Sequence, residues 1–491
     1  MRRQPFFHSM LFFLGILLPA LAATADPAIA PGSGCDIVIL MDSSGSMKHT
    51  DPKNYRKDAA KLFVSLLGAD DRVGIMSFGD NARLLSPLAR NSPKNRKKLF
   101  RAIDRISSRE FSTNITDAVR KGFQQLTVSH NTNKIMILMS DGRLALGSPE
   151  KDVAAFAELT RILPEVAKAG VKLYTVAFTD ESDHPLLENM ARVTGGFFRY
   201  ARMDWDVHVM FTSIFEKIKS PDSVPFEGEA FSLDKDIQEA TVLVTKKAGT
   251  AIALMDPAAR KHAAAHHAKN MQWYQSNIFD MITVRKPAAG AWRVKLSANE
   301  GNKVFVVTNL NLKSSFAGSF VPRGKSLAID AWLEKEGGMI TEQDLLHSTT
   351  FSAELVEPGK PPRKLDLAPG SSAGAYAASL VPEAAGEYTV TIVASGKTFK
   401  REKIFQFKTE EPTAPVEPVP ARAELKTLPS VSATPAHEDE TVSWTSILIK
   451  FIMINAAFLA VAAAVYGGAV FYRKRTAHRN AAKPAKDKKQ I

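Results

Sequence analysis

The stretch from Cys35 to Met47, CDIVILMDSSGSM, decides how the first half of the chain is read. Asp36 to Met41 has the length and apolar content of a short buried strand. Strands covered on both faces of a parallel sheet have this character. The run then ends in Asp42, Ser43, Ser44 and Ser46, with Gly45 among them. Hard oxygen donors on a tight loop at the carboxyl end of a strand suggest a divalent-cation site. The competing reading is a Ser/Gly turn with a helix N-cap.

Working outward, apolar runs alternate with amphipathic helical patterns from Cys35 to about Lys219. DIVILMD, RVGIMSFG, KIMILMSDG and KLYTVAFTD read as strands. NYRKDAAKLFVSLL, NRKKLFRAIDRI, NITDAVRKGFQQL and KDVAAFAELTRILPEVAKAG read as helices, followed by HPLLENMARVTG and WDVHVMFTSIFEKI. That rhythm predicts an α/β, doubly wound parallel sheet covered on both faces. The carboxyl ends of such strands share one edge, so Thr113, before a helix, and Asp141, after KIMILMS, can converge with Asp42, Ser44 and Ser46.

These residues carry a resemblance. Asp42-x-Ser44-x-Ser46, then Thr113, then Asp141 is similar to the metal-ion-dependent adhesion site of the von Willebrand factor A domain family. The resemblance covers about residues 35–218 and includes YTVAFTDESDHPLLENMARVTGGFFRYA. It implies that these five residues bind Mg²⁺, or Mn²⁺ or Ca²⁺, and that a protein partner supplies a carboxylate to the ion. Phe111-Ser112 stands where the family often has Gly-Gly, and Met139-Ser140 where it often has Leu-Thr; neither change removes a ligand. The chemistry is coherent by itself: neutral hydroxyls leave the ion much of its charge, and the two carboxylates hold it.

After Lys219 the pattern changes to short strand-like runs punctuated by Pro and Gly, at the spacing of β-sandwiches. The predicted organisation is a signal peptide at 1–25, the α/β domain at 33–220, and immunoglobulin-like sandwiches at 226–315 and 316–409. A Pro-rich linker at 410–444, a transmembrane helix at 451–472 and a basic tail at 473–491 follow. The domain at 33–220 is expected to fold alone. Arg2, Arg3, an apolar core and small residues mark the signal peptide. Phe451 to Tyr472 is uncharged and long enough to span a bilayer.

Of the formal +13 charge, the first 25 residues hold +2 and the last 19 hold +7, which leaves a modest +4 for the remainder. The charge bias implies no nucleic-acid partner. By the positive-inside rule the tail is cytoplasmic and the bulk of the chain faces the periplasm or exterior, in a single-pass type I arrangement. Cys35 is the one cysteine and Asn114-Ile115-Thr116 the one glycosylation sequon read, which favours a bacterial cell membrane.

Other features point to structure. His262 and His266 have a spacing that can hold zinc on a helix, but no Glu stands between them, and the segment reads as a solvated insertion. Asp70-Asp71 reads as a solvated turn. Tyr388 resembles a tyrosine corner, and Trp292 is expected in a core. No phosphate loop or nucleophile elbow is present in the sequence, so the expectation is a binding protein and not an enzyme. Two alternatives are an envelope assembly or maturation factor working with an AAA+ ATPase, and a self-processing protease.

Overall fold

The computed structural model describes residues 34–410, apart from Asn299 and Ala317. The expected signal peptide at 1–25, almost all of the linker, the span at 451–472 and the tail lie outside the described residues. Among the described residues no helix is long and apolar enough to cross a membrane.

Six strands form the first sheet: β1 (Asp36–Asp42), β2 (Arg72–Phe78), β3 (Arg83–Arg90), β4 (Lys134–Ser140), β5 (Val171–Phe178) and β6 (Phe197–Ala201). Their order is β3-β2-β1-β4-β5-β6. All neighbours run parallel except β3, which pairs antiparallel with β2. The chain winds outward from β1 through β2 to β3, then returns to start again at β4. The winding therefore reverses between β1 and β4, which leaves a crevice at their carboxyl ends.

Alternation along each strand feeds two apolar layers. Ile37, Ile39 and Met41 pack on one face with α2 (Tyr55–Leu66), α3 (Pro93–Asp104) and α7 (Val207–Lys219). Val38 and Leu40 pack on the other with α4 (Ile115–Thr127), α5 (Pro149–Lys168) and α6 (His184–Val193). Helix starts follow local rules: Ser92, Asn114, Ser148 and Asp183 each accept a backbone N–H from the first turn. A short helix, α1 (Met47–Thr50), completes the loop after β1. Strand β3 carries no sequence signal of its own. It lies at the sheet edge with both faces partly solvated, and Pro87 interrupts it, so neither alternation nor an apolar run marks it.

The β-rich remainder differs from two separate units. One ten-stranded sheet takes strands from both sequence halves. The two-residue strand Asp222–Ser223 joins them, since it pairs with Lys303–Thr308 on one side and Lys400–Glu410 on the other. A four-stranded sheet packs on the first half and a five-stranded sheet on the second, around separate apolar cores. The run KVFVVTNLNL, which lies inside the expected sandwich at 226–315, divides. Lys303–Thr308 stays in the first half, whereas Leu310–Lys313 pairs with Leu327–Lys335 of the second. The break falls where the register shifts at Val307/Thr308 and the Leu310 N–H donates to Thr308 Oγ1 at 3.2 Å.

Arg401, fully buried, ties this junction. Its guanidinium donates to both Asp234 carboxylate oxygens at 2.6 and 3.1 Å, to Thr308 Oγ1 at 2.9 Å and to the Leu310 carbonyl at 3.1 Å. Trp292 is buried and donates to the Ala288 carbonyl. The Tyr388 hydroxyl donates to the Ala384 carbonyl and accepts the Ala384 N–H.

The α/β layer and the ten-stranded sheet share a core. Leu243, Ile278, Phe279, Met281 and Phe305 belong to the same apolar cluster as α2 and α7, and Phe215 meets Phe305 edge-on at 5.3 Å. His208 sits in this seam, stacked on Phe279, with Nδ1 on the Trp205 carbonyl and Nε2 on Thr245 Oγ1. Burial pushes its pKa down to about 4. An unfolded chain with an ordinary histidine near 6.5 binds a proton that the folded chain refuses between those values. Stability from this group is therefore complete above about pH 6.5 and falls by about 3 kcal/mol toward pH 4. Urea unfolding of the wild type and His208→Gln at pH 7 and pH 4.5 checks it. Carboxylates contribute to both proteins alike, so a smaller loss in the variant is the expected result.

Candidate metal centre

Asp42 closes β1 and Asp141 follows β4, so the reversal of winding sets two acids side by side at one edge. The turn after Asp42 is fixed by backbone and side chain together. The Ser43 N–H and hydroxyl both donate to the Phe78 carbonyl, at 2.7 and 2.8 Å. The Ser44 N–H donates to Asp42 Oδ1 at 2.7 Å. Ser44 and Ser46 share a hydrogen bond between their hydroxyls at 3.0 Å, and Ser46 donates to Asp141 Oδ1 at 2.8 Å. Asp42, Ser44, Ser46 and Asp141 thus form one continuous polar chain.

Thr113 arrives from a third loop. It exchanges backbone hydrogen bonds with Ala145, at 2.9 Å and 3.3 Å. Its hydroxyl lies 3.3 Å from where a β-carbon on Gly142 would stand. A side chain at position 142 would press on that hydroxyl, which gives Gly142 a steric role.

Several residues to which the sequence reading gave no role hold these groups. Thr50 donates to Asp141 Oδ2, and Ser140 donates to Asp42 Oδ2 at 2.6 Å. Glu110 lies 3.1 Å from Ser43 Oγ, sharing its one proton with the Phe78 carbonyl, and accepts the Asp80 N–H at 2.8 Å. Asp80 in turn accepts the Phe111 and Ser112 N–H groups at 3.1 and 2.9 Å. Thr50 lies four residues after Ser46 on α1, a spacing that places both toward Asp141. For Glu110 and Asp80 no local signal exists, because their partners lie 30 or more residues away.

Asp42 and Asp141 are both fully buried. Burial, and then the charge of Asp141, push Asp42 up to about 6. Burial also raises Asp141, against the Thr50 and Ser46 hydroxyls and the Arg56 charge, which lower it. Arg56 is committed elsewhere, to Asp51 at 2.6 Å. The two acids therefore face each other with hydroxyls between them, and among the described residues no cationic side chain bonds to either. That donor set, two carboxylates and three hydroxyls, fits a hard divalent cation. Among the described residues no cluster of three or more His, Cys, Asp or Glu could hold a metal. A cavity of about 950 Å³ lies elsewhere, lined by Tyr55, Tyr200 and Trp205 among others, and none of the five oxygens' residues lines it.

Two other sequence readings change. His262 and His266 are on a β-hairpin and its turn, and the segment is only partly solvated: His262 is buried against Asp256 at 3.2 Å while His266 is exposed. Asp71 is no solvated turn residue. It is buried and accepts from the Cys35 and Gly68 N–H groups and from Lys219.

Residues 36–216 match the von Willebrand factor type A domain family. Inter-alpha-trypsin inhibitor heavy chain H3 of Bos taurus is 26% identical over 195 residues, 38% of this chain and 21% of that protein. Heavy chain 4 of Mus musculus is 23% identical over 211 residues, 41% of this chain and 22% of that protein. The chain spans about a fifth of the length of these curated relatives. Among solved structures, a von Willebrand factor type A protein from Catenulispora acidiphila is similar at 14% identity and TM-score 0.34, covering 77% of this chain and 68% of that one. Proximal thread matrix protein 1 from the mussel byssus, with a zinc-occupied adhesion-site motif, is similar at 19% identity and TM-score 0.30, covering 37% and 47%.

Proposed function

We propose, from the premise that residues 36–216 are a von Willebrand factor type A domain, that the protein binds a protein partner through a divalent cation held by Asp42, Ser44, Ser46, Thr113 and Asp141. The partner supplies a carboxylate to the ion. One observation carries this reading: two fully buried carboxylates are joined through the Ser44 N–H and the Ser44 and Ser46 hydroxyls, and among the described residues no side-chain cation bonds to either. Such a pair is costly without a positive charge between its members. The ion, Mg²⁺ or else Mn²⁺ or Ca²⁺, supplies that charge. Neutral hydroxyls leave it positive enough to attract one more carboxylate.

The same reading places the chain in a bacterial cell envelope, with the metal-binding head outside and one C-terminal span in the membrane. The apolar stretch 451–472 and its basic flank support that placement. The role is recognition and not catalysis.

Crosslinking in native membranes, with Mg²⁺ and with chelator, tests the function. The expected product is a protein adduct present only with the metal and lost in the Ser44→Ala/Ser46→Ala variant. An adduct pattern indifferent to chelator and to both substitutions would rule the reading out. Thr113→Ala is expected to weaken the adduct less than Asp42→Ala, because it removes a neutral donor.

A further inference from the structure

Helix α3 is capped like its neighbours by Ser92, but its exposed face carries an unbalanced positive charge. Between Arg83 and Arg109 the chain has nine Lys or Arg and one acid, Asp104, which Lys61 holds at 2.5 Å. Leu99, Ala102 and Ile103 face the core, so Lys94, Lys97, Lys98, Arg101 and Arg105 fall on the solvent side, all exposed. Lys94 with Lys98, and Lys97 with Arg101, are like charges one turn apart, a spacing that destabilises a helix. No acid occupies the first turn, where the helix dipole favours one, and Lys94 stands there instead. Lys94, Lys97, Lys98 and Arg101 form no ion pair or hydrogen bond among the described residues. Local choices that cost stability without a structural return are expected where a surface has a task.

The position of this face says which task. Strand β3 starts beside the carboxyl end of β2, with Arg83 opposite Ser77, and ends beside its start, with Arg90 opposite Arg72. Helix α3 therefore climbs back toward the edge that carries Asp42 and Asp141. It leads through Arg105 and exposed Arg109 into the Glu110–Thr113 loop of the candidate metal centre. The basic face spans about 17 Å from Lys94 to Arg105 at 1.5 Å per residue. At its upper end Phe111 is 97% exposed, on backbone pinned by Asp80.

We propose that this face receives further acidic side chains of the same partner that supplies the metal-bound carboxylate, so that the partner presents an acidic polypeptide segment. The proposal rests on the metal-centre reading above and adds the partner's charge and its direction across the surface. The metal takes one carboxylate, Phe111 offers an apolar contact beside it, and the unpaired cations of α3 take the acids that follow. Other polyanions fit less well. Phe111 gives bases a single ring to stack on, and Arg90 to Arg105 exposes none, whereas single-strand binders use a succession of rings. Nor does one exposed Phe make the continuous apolar face that enters a bilayer.

The test uses the full-length protein in Mg²⁺ and a random 12-residue peptide library on phage, eluted with EDTA. Wild type is compared with Lys97→Glu/Lys98→Glu/Arg101→Glu. Wild-type selections should share one acidic residue and carry at least two further acids. Selections on the variant should keep the shared acid and lose the others. A wild-type peptide should lose about tenfold in affinity for the variant, an effect that salt diminishes. The variant's melting temperature should stay close to that of wild type, since all three positions are exposed and Lys94 with position 98 becomes an opposite-charge pair while 97 with 101 stays like-charged. Peptides that share an acid but gain no others, or that bind both proteins equally, overturn the proposal and leave the metal reading intact. Peptides eluted by EDTA with no common acid overturn the metal reading itself. A single-stranded DNA dodecamer that binds the face without Mg²⁺, and more tightly than the selected peptides, overturns the assignment to an acidic polypeptide.

Discussion

Asp51→Ala is expected to destabilise the folded chain by about 3–5 kcal/mol, the usual cost of stranding a buried charge. Asp51 and Arg56 have fully buried side chains and pair at 2.6 Å. Arg56 keeps only neutral partners beyond that, the Ser107 carbonyl at 3.1 Å and Ser108 Oγ at 2.8 Å, and its Nε has none in the described structure. Without Asp51 the guanidinium stays buried and unpaired. Asp51 also caps α2 from outside the usual position. The residue at the cap, Asn54, has a positive φ and makes no side-chain cap, and Asp51 accepts the Tyr55 and Arg56 N–H groups instead. Urea unfolding measures the loss. The double variant Asp51→Leu/Arg56→Met should recover much of it, because the charge is removed along with its partner. A loss below 1 kcal/mol for Asp51→Ala alone would mean that the pair does not hold this region.

Ending the chain at residue 220 is expected to abolish cooperative unfolding, whereas residues 34–410 should melt as one unit. The sequence suggests a self-sufficient domain at 33–220, and the shared core argues against it. Phe211, Ile214 and Phe215 of α7 cluster with Leu243, Ile278, Phe279, Met281 and Phe305, all beyond the cut. Glu216 also loses Lys303, which it meets at 2.8 Å. Exposing even two of these three side chains costs about 3–6 kcal/mol. That is a large part of the roughly 5–15 kcal/mol that holds a typical domain. Calorimetry of both fragments decides: a sharp transition for 34–220 near that of 34–410 would show that α7 needs no partner sheet.

The α/β layer was legible because its signals are local. Apolar runs mark β1, β2, β4 and β5, and the spacing of Asp42, Ser44 and Ser46 survives in any fold that ends a strand at Asp42. What was not legible depends on distant residues. Strand β3 has no pattern because it sits at an edge. Asp71 reads as a surface turn until Lys219, 148 residues away, closes over it. Thr308 to Leu310 hides a change of sheet inside one apolar run. The joining of both β-rich halves into one sheet rests on the two residues Asp222 and Ser223, too few for any pattern. Within the site, Ser140 and Thr50 were hidden by their ordinariness, since a hydroxyl gains its role only from the carboxylate opposite.

Thermal unfolding decides whether Asp42 and its neighbours hold a divalent cation. Full-length wild type and Asp42→Ala are melted at pH 7.5, with Mg²⁺ and with EDTA. That pH lies above the value of about 6 to which Asp42 is raised, so its carboxylate is ionised before the metal binds. An ion present at a hundred times its dissociation constant stabilises by about 2.7 kcal/mol. In wild type the melting temperature should therefore rise with Mg²⁺. In Asp42→Ala the rise should vanish, whatever its melting temperature in EDTA, where the repulsion relieved from Asp141 is set against the Ser44 N–H and Ser140 hydroxyl left without an acceptor. An equal rise in both proteins would contradict the account, since the ion would then be held by other oxygens.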